Sequence, residues 1–90
     1  MQFEWDEDKN KTNINKHGIS FQNAAKVFLD KNKIILFDSI HSTKAEQRYI
    51  VIGKVADILF VVYTERKENI RLISARLANA EEREIYNDNI

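Results

Sequence analysis

Ninety residues carry 14 Lys plus Arg against 14 Asp plus Glu, so the chain has no formal net charge with both histidines neutral, which excludes a polybasic arm. A chain this short buries only about 60 to 65% of the surface its unfolded form exposes, enough for one compact core over residues 1–90 and no large cofactor fold. Its 43% hydrophobic and 31% charged residues belong to a globular protein, and the lack of cysteine excludes a disulfide framework, a thiolate metal site and a Cys nucleophile.

Two histidines alone cannot build a three-His zinc site, and neither metal nor cofactor is expected. The longest apolar run, Ile58 to Tyr63, is six residues, against the roughly 20 that a membrane helix needs. The acidic start through Asp8 lacks a secretory signal, so the expected location is cytoplasmic, with no membrane partner. A net charge near zero favours self-association and fits a chain that works with a partner covering part of it.

Phe3 and Trp5 alternate with Glu4 and predict a short first strand. Asp6 then caps a helix over Glu7 to His17, with acids in its first turn, Lys16 and His17 in its last, and Gly18 at the C-terminal cap position. That helix is polar, and Ile14 is nearly its only expected anchor. Ser20 caps a second helix whose Phe21, Ala24, Ala25 and Phe28 fall on one stripe. Ile34 to Phe37 reads as a strand, and Asp38 to Gln47 as a polar, mobile connection holding His41.

Three strands follow, Arg48 to Gly53, Ile58 to Thr64 and Asn69 to Arg76, joined by four-residue turns into an antiparallel meander. Because the middle strand is apolar on both sides, the sheet face away from the helices is expected to form a partly hydrophobic groove or docking surface. Asn79 with Glu82 reads as a capping box opening a last helix through Tyr86. The predicted fold is α+β: a small antiparallel sheet of the meander plus one or two N-terminal strands, two N-terminal helices and a short C-terminal one.

All five arginines, at positions 48, 66, 71, 76 and 83, lie in the second half of the chain. Two readings of them stay open, bidentate phosphate recognition from a sheet or surface ion pairs with nearby Glu. With four-residue turns, Arg48 lies opposite Tyr63 and Tyr63 opposite Leu72, while Leu59 lies between Ile52 and Arg76. Arg48, Tyr63, Ser74 and Arg76 then share one face, and Arg71 falls on the other unless a bulge exchanges the sets. Arg48 and Arg76 stand about 13 Å apart along the strands, suited to neighbouring phosphates of one nucleic-acid strand.

His17, fixed at a helix end before Gly18, is either a cation at the negative end of the helix dipole or a general acid or base. His41, in the loop, is the weaker candidate. Tyr49, Tyr63 and Tyr86 offer stacking surfaces but equally read as core.

The order of residues along the chain resembles the BrnT toxins of type II toxin–antitoxin systems, small ribonucleases with a RelE-like fold. The resemblance is carried by Phe3-Glu4-Trp5-Asp6, Lys16-His17-Gly18-Ile19-Ser20-Phe21, Gln47-Arg48-Tyr49 with Ile52-Gly53, Val61-Val62-Tyr63-Thr64-Glu65-Arg66, and Ile70-Arg71-Leu72-Ile73-Ser74-Ala75-Arg76. It implies metal-independent RNA cleavage by 2′-hydroxyl attack and neutralisation by a cognate BrnA-like antitoxin, with DNA contacted only through that antitoxin. Carried over by position, it implies His17, Arg48 and Arg76 as catalytic residues and Lys16, Tyr63 and Arg71 as substrate-binding ones, with Tyr63 or Glu65 in reserve for proton transfer. Leu77 and Ala80 stand where the family is commonly basic, and Glu81 and Glu82 follow, which implies weaker RNA affinity or weaker catalysis here. The alternative reading is a non-catalytic RNA- or protein-binding module within an autoregulatory complex.

Overall fold

The structure, a computed structural model, describes residues 2–90. Its strands are β1 (Gln2–Glu4), β2 (Ile34–Asp38), β3 (Arg48–Val55), β4 (Asp57–Arg66) and β5 (Asn69–Leu77), and its helices α1 (Glu7–His17), α2 (Phe21–Ala24) and α3 (Ala80–Asp88). They form an α+β fold around one five-stranded sheet in the order β1-β5-β4-β3-β2. No helix among the described residues is long and apolar enough to cross a membrane.

The caps of α1 are those that the sequence predicts. Asp6 accepts from the backbone N–H groups of Asp8 and Lys9, and Gly18 closes the helix in the left-handed region at φ 72°, a conformation that costs an L side chain. The predicted anchor is different, because Ile14 is 41% exposed while Asn10 and Asn13 are the buried residues of the helix. Asn13 donates to the carbonyls of Ile19 (2.9 Å) and Ala75 (2.8 Å) and accepts from the Ala75 N–H (3.1 Å). Its amide thus supplies both ladder bonds that an adjacent strand would have given Ala75. Asn10 accepts from the Phe21 N–H at 2.8 Å and so ties α1 to the start of α2.

The second helix is a composite. After one α-turn, residues Ala25–Leu29 continue as a 3₁₀ segment, and the fully buried residues are Phe21, Ala24 and Val27, spaced by three. In a 3₁₀ segment i and i+3 eclipse, so Val27 takes the buried place expected of Ala25 and Phe28, which pack partly buried against the same core. Gly53 lies beneath this segment: a Cβ there would stand 3.0 Å from Val27 Cβ and 3.1 Å from Val27 O, so the close approach of 3₁₀ segment and sheet uses the missing side chain.

The sheet is mixed, which corrects the antiparallel expectation: β1 pairs parallel with β5, Gln2 opposite Asn69 and Glu4 opposite Arg71. The N-terminal strand reaches the outer edge of β5 running in the same direction, and α1 then covers the rest of that edge through Asn13. Parallel pairing needs a long crossover, and here the whole intervening chain provides it.

Both hairpin turns are tighter than four residues. Val55 pairs with Asp57 around Ala56 at φ 60°, and Arg66 pairs with Asn69 around Lys67 at φ 56°. Neither turn carries the Gly or Asn that usually marks a left-handed turn residue, so nothing in the sequence announced its length. Arg48 is therefore opposite Thr64 and not Tyr63, and Leu59 lies between Gly53 and Leu77 and not between Ile52 and Arg76. A bulge between Val62 and Tyr63 restores the predicted pairing of Tyr63 with Leu72.

Because a one-residue slip reverses a strand's faces, Tyr63 joins Val51, Leu59, Val61, Leu72 and Ala75 in the core beneath α2 and the 3₁₀ segment. It is 5% exposed, stacks with Tyr49 (centroids 5.5 Å apart) and meets Phe28 edge-on (5.1 Å). α3 opens with the predicted capping box, Asn79 and Glu82 each bonding the other's backbone N–H. Its buried Tyr86 hydroxyl donates to Asp30, whose same oxygen accepts from the Lys54 N–H at 2.8 Å.

Candidate functional site

On the face opposite the core, the register lines up a polar row across the whole sheet: Asp38, Arg48, Thr64, Arg71 and Glu4. The next row is Leu36, Ile50, Val62 and Ser74, and the one beyond holds Ile34, Ile52, Phe60 and Arg76. Arg48, Arg71 and Arg76 thus share a face, the outcome that the bulge decides. Arg48 and Arg76 remain four residues apart along the strands, about 13 Å.

A groove of about 460 Å³ lies on this face, with Ile50, Phe60 and Val62 as its apolar floor and Arg48, Arg76, Ser74, Asp38 and His41 among its polar walls. The expected partly apolar groove is therefore present on the face away from α1 and α2, while α3 reaches this face through Glu82 at Arg76. A second depression of about 340 Å³ adjoins it, lined by Lys9, Lys16, His17 and Asp8, and Ile73 and Ser74 line both. The C-terminal end of α1, which carries Lys16 and His17, thereby flanks the arginine groove across the β5 edge.

Of the two readings of the arginines, the ion pairs with nearby Glu are the ones present among the described residues. Arg48 Nε donates to Glu46 at 3.0 Å, Arg71 Nη1 to Glu4 at 2.8 Å, and Arg76 donates bidentately to Glu82 at 2.8 and 2.9 Å. The physical reason is proximity: Glu46 precedes Arg48 by two residues, Glu4 is brought opposite Arg71 by the parallel pairing, and Glu82 is fixed by the capping box. Arg76 also lies over the Phe60 ring, 4.0 Å from its centroid, and donates to the Leu77 carbonyl. Three of its five N–H donors are thus engaged, and two are left for a ligand among the described residues.

The two arms of the groove are of different quality. The Arg48 pair is about a third exposed on each side, the class of ion pair that contributes about 0 to 1 kcal/mol and exchanges readily. The Arg76 pair is bidentate on a 14% exposed Glu82, which holds the guanidinium in one orientation. Arg71 lies at the β1 end of the row and does not line the groove.

His41, the weaker of the two histidine candidates, lines the groove. Its Nδ1 lies 2.8 Å from Asp38 Oδ2, and its backbone N–H donates to Asp38 Oδ1 at 3.3 Å. The loop is tied back to the sheet: Ser42 Oγ accepts from the Arg48 N–H at 2.8 Å and bonds the Asp38 carbonyl. The Asp-x-x-His spacing directly after an apolar strand was the available signal. Tyr63 stands in the core, and burial first of all pushes its hydroxyl up to about 12, so it stays a neutral phenol far from the groove. Glu65 lines a separate depression with Tyr49 and Arg66. No group of three or more metal-ligating side chains is found among the described residues.

Four carboxylates of the fold lie below their ordinary pKa values. Hydrogen bonds from Asn69 and Arg71 lower Glu4; in Asp30, Asp38 and Glu82 burial raises the value, and bonds from Tyr86, His41 and Arg76 respectively, with backbone N–H groups, outweigh it. A depressed folded-state pKa gives stability that is complete above the unfolded values of 3.8 and 4.5 and is lost as pH falls through the folded ones. The urea midpoint is therefore expected to fall below about pH 4. A midpoint that rises as pH falls below about 4 contradicts these pairings.

Among curated proteins no match is found. Among solved structures, the fold matches the ribonuclease toxin BrnT of Brucella abortus, with a TM-score of 0.68 and 32% sequence identity over 88% of this chain and 97% of that one. The family model described as the ribonuclease toxin BrnT of type II toxin–antitoxin systems matches residues 5–82, from Trp5 just after the first strand to the Glu82 that holds Arg76. With both the residue pattern and the fold in agreement over most of its length, the chain belongs to the BrnT family of ribonuclease toxins.

Proposed function

We propose that this chain is a cytoplasmic, RelE-like endoribonuclease that cuts RNA without a metal ion, by attack of the 2′-hydroxyl on the adjacent phosphorus, until a BrnA-like antitoxin sequesters it. The observation that carries the reading is the arginine-face groove, with Arg48 at one end and Arg76 at the other over an apolar floor. Its span suits two phosphates of one RNA strand, and the pinned Arg76 is oriented before substrate arrives. Such cleavage draws on in-line positioning, which contributes up to about 7 to 11 kcal/mol, and on donors aimed at the phosphoryl oxygens. Arg48 and Arg76 serve as those donors, Lys16 and Arg71 extend the basic track, and His17 faces the same track across Ser74. DNA is contacted only through the antitoxin. The family's type II organisation implies that partner.

The test is cleavage of a mixed-sequence RNA in EDTA by the parent chain and by Arg48→Ala and Arg76→Ala variants. Each variant is expected to lose about 10²-fold in kcat, the usual effect of removing one preorganised donor. Parent-like rates in both variants remove the groove as the site, and loss of all cleavage in EDTA removes the metal-free mechanism. One observation favours a non-catalytic RNA- or protein-binding module: Arg48, Arg71 and Arg76 all meet carboxylates. RNA binding with no scission selects that alternative.

A further inference from the structure

The Asp38–His41 pair sits on the wall of the same groove as Arg48 and Arg76. A carboxylate only accepts hydrogen bonds, so the 2.8 Å contact places the ring proton of a neutral His41 on Nδ1. That leaves Nε2 with its lone pair on a side chain that is 65% exposed, whereas Asp38 is 12% exposed and held in place. An imidazole fixed in one tautomer by a carboxylate behind it is the arrangement that a general base requires. Nothing in the packing of the fold needs it: the ring stands outside the core cluster, and its only recorded side-chain partner among the described residues is Asp38.

We infer that His41 is the general base of the RNA cleavage and that Asp38 is its positioning residue, an inference that rests on the nuclease reading above. In the step, Nε2 of neutral His41 takes the proton of the 2′-hydroxyl and the O2′–P bond forms. The P–O5′ bond breaks, the departing 5′-oxygen takes a proton from solvent water, and the imidazolium returns its proton to solvent. The products are a 2′,3′-cyclic phosphate and a 5′-hydroxyl. The charged groups that line the groove with His41 are Asp38 from β2, Arg48 from β3 and Arg76 from β5: the carboxylate stabilises the imidazolium that forms, and the guanidinium groups oppose it.

The experiment measures kcat against pH on RNA for the parent, His41→Ala and Asp38→Asn chains, with product termini determined and imidazole added to the alanine variant. His41→Ala is expected to lose about 10²- to 10⁴-fold, to lose the acid limb of the profile, and to regain part of its rate with imidazole. Asp38→Asn is expected to lose less and to shift the acid limb to lower pH. The ring ¹⁵N shifts of the parent are expected to show neutral His41 protonated on Nδ1. An alanine variant that cleaves like the parent, or one that keeps the acid limb and ignores imidazole, overturns the assignment while the nuclease reading stands. A parent that leaves RNA intact, or leaves 5′-phosphate ends, overturns both.

Discussion

Asn13→Ala is expected to destabilise the chain by about 3 to 5 kcal/mol, since each buried polar group left without a partner costs about 1 to 3 kcal/mol. The substitution strands the N–H and carbonyl of Ala75, a residue with no exposed surface, together with the Ile19 carbonyl. The better helix propensity of alanine offsets about 0.6 kcal/mol of this. For a domain of this size the remainder is a large share of total stability, roughly 5 to 13 kcal/mol. Urea unfolding followed by circular dichroism reads it as a lower midpoint at unchanged slope, and a shift under about 0.5 kcal/mol refutes the pseudo-strand role. Asn13→Asp adds a control: the carboxylate still accepts from Ala75 but cannot donate to either carbonyl, so that variant is expected to gain relative to Asn13→Ala on acidification, when the protonated acid donates again. Ala75 lies between Ser74 and Arg76, so the same amide also holds the strand that presents the groove.

Phe21→Ala is expected to cost about 3 to 5 kcal/mol, the range for truncating a fully buried phenylalanine. Its ring has no exposed surface and meets Trp5 edge-on at 6.2 Å, and its N–H is bonded to Asn10. The lost transfer energy adds to a cavity between the 3₁₀ segment and the sheet, which the short, doubly tethered α2 cannot collapse to fill. Phe21→Leu keeps most of the volume and is expected to cost about 1.5 kcal/mol or less. Equal losses in the two variants contradict the cavity account. Because Phe21 lies on the core face, a folded Phe21→Leu chain is expected to cut RNA at the parent rate, unlike the arginine-face variants.

The local elements were legible in the residues themselves. Asp6, Gly18, Ser20 and the Asn79–Glu82 box mark helix ends through bonds that each cap makes within a few residues, and the apolar alternation from Arg48 onward marks three strands. Local hydrogen bonding and burial periodicity decide those features, and both are written along the chain. The candidate arginines, Arg48 and Arg76, were legible for the same reason: they lie on strands whose existence periodicity predicts.

The pairing of strands was decided elsewhere. Whether Arg71 shares a face with Arg48 and Arg76 depends on one bulge and two left-handed turn residues, Ala56 and Lys67, which have no sequence mark of their own. A single residue of slip moves Tyr63 from groove to core. The buried asparagines of α1 and the carboxylates that hold the arginines also came only with the fold, because their partners are distant in sequence or set by register, as Asn13 with Ala75 and Glu4 with Arg71. Short-range bonds determined which elements form; long-range register determined which side chains meet, and with them the site.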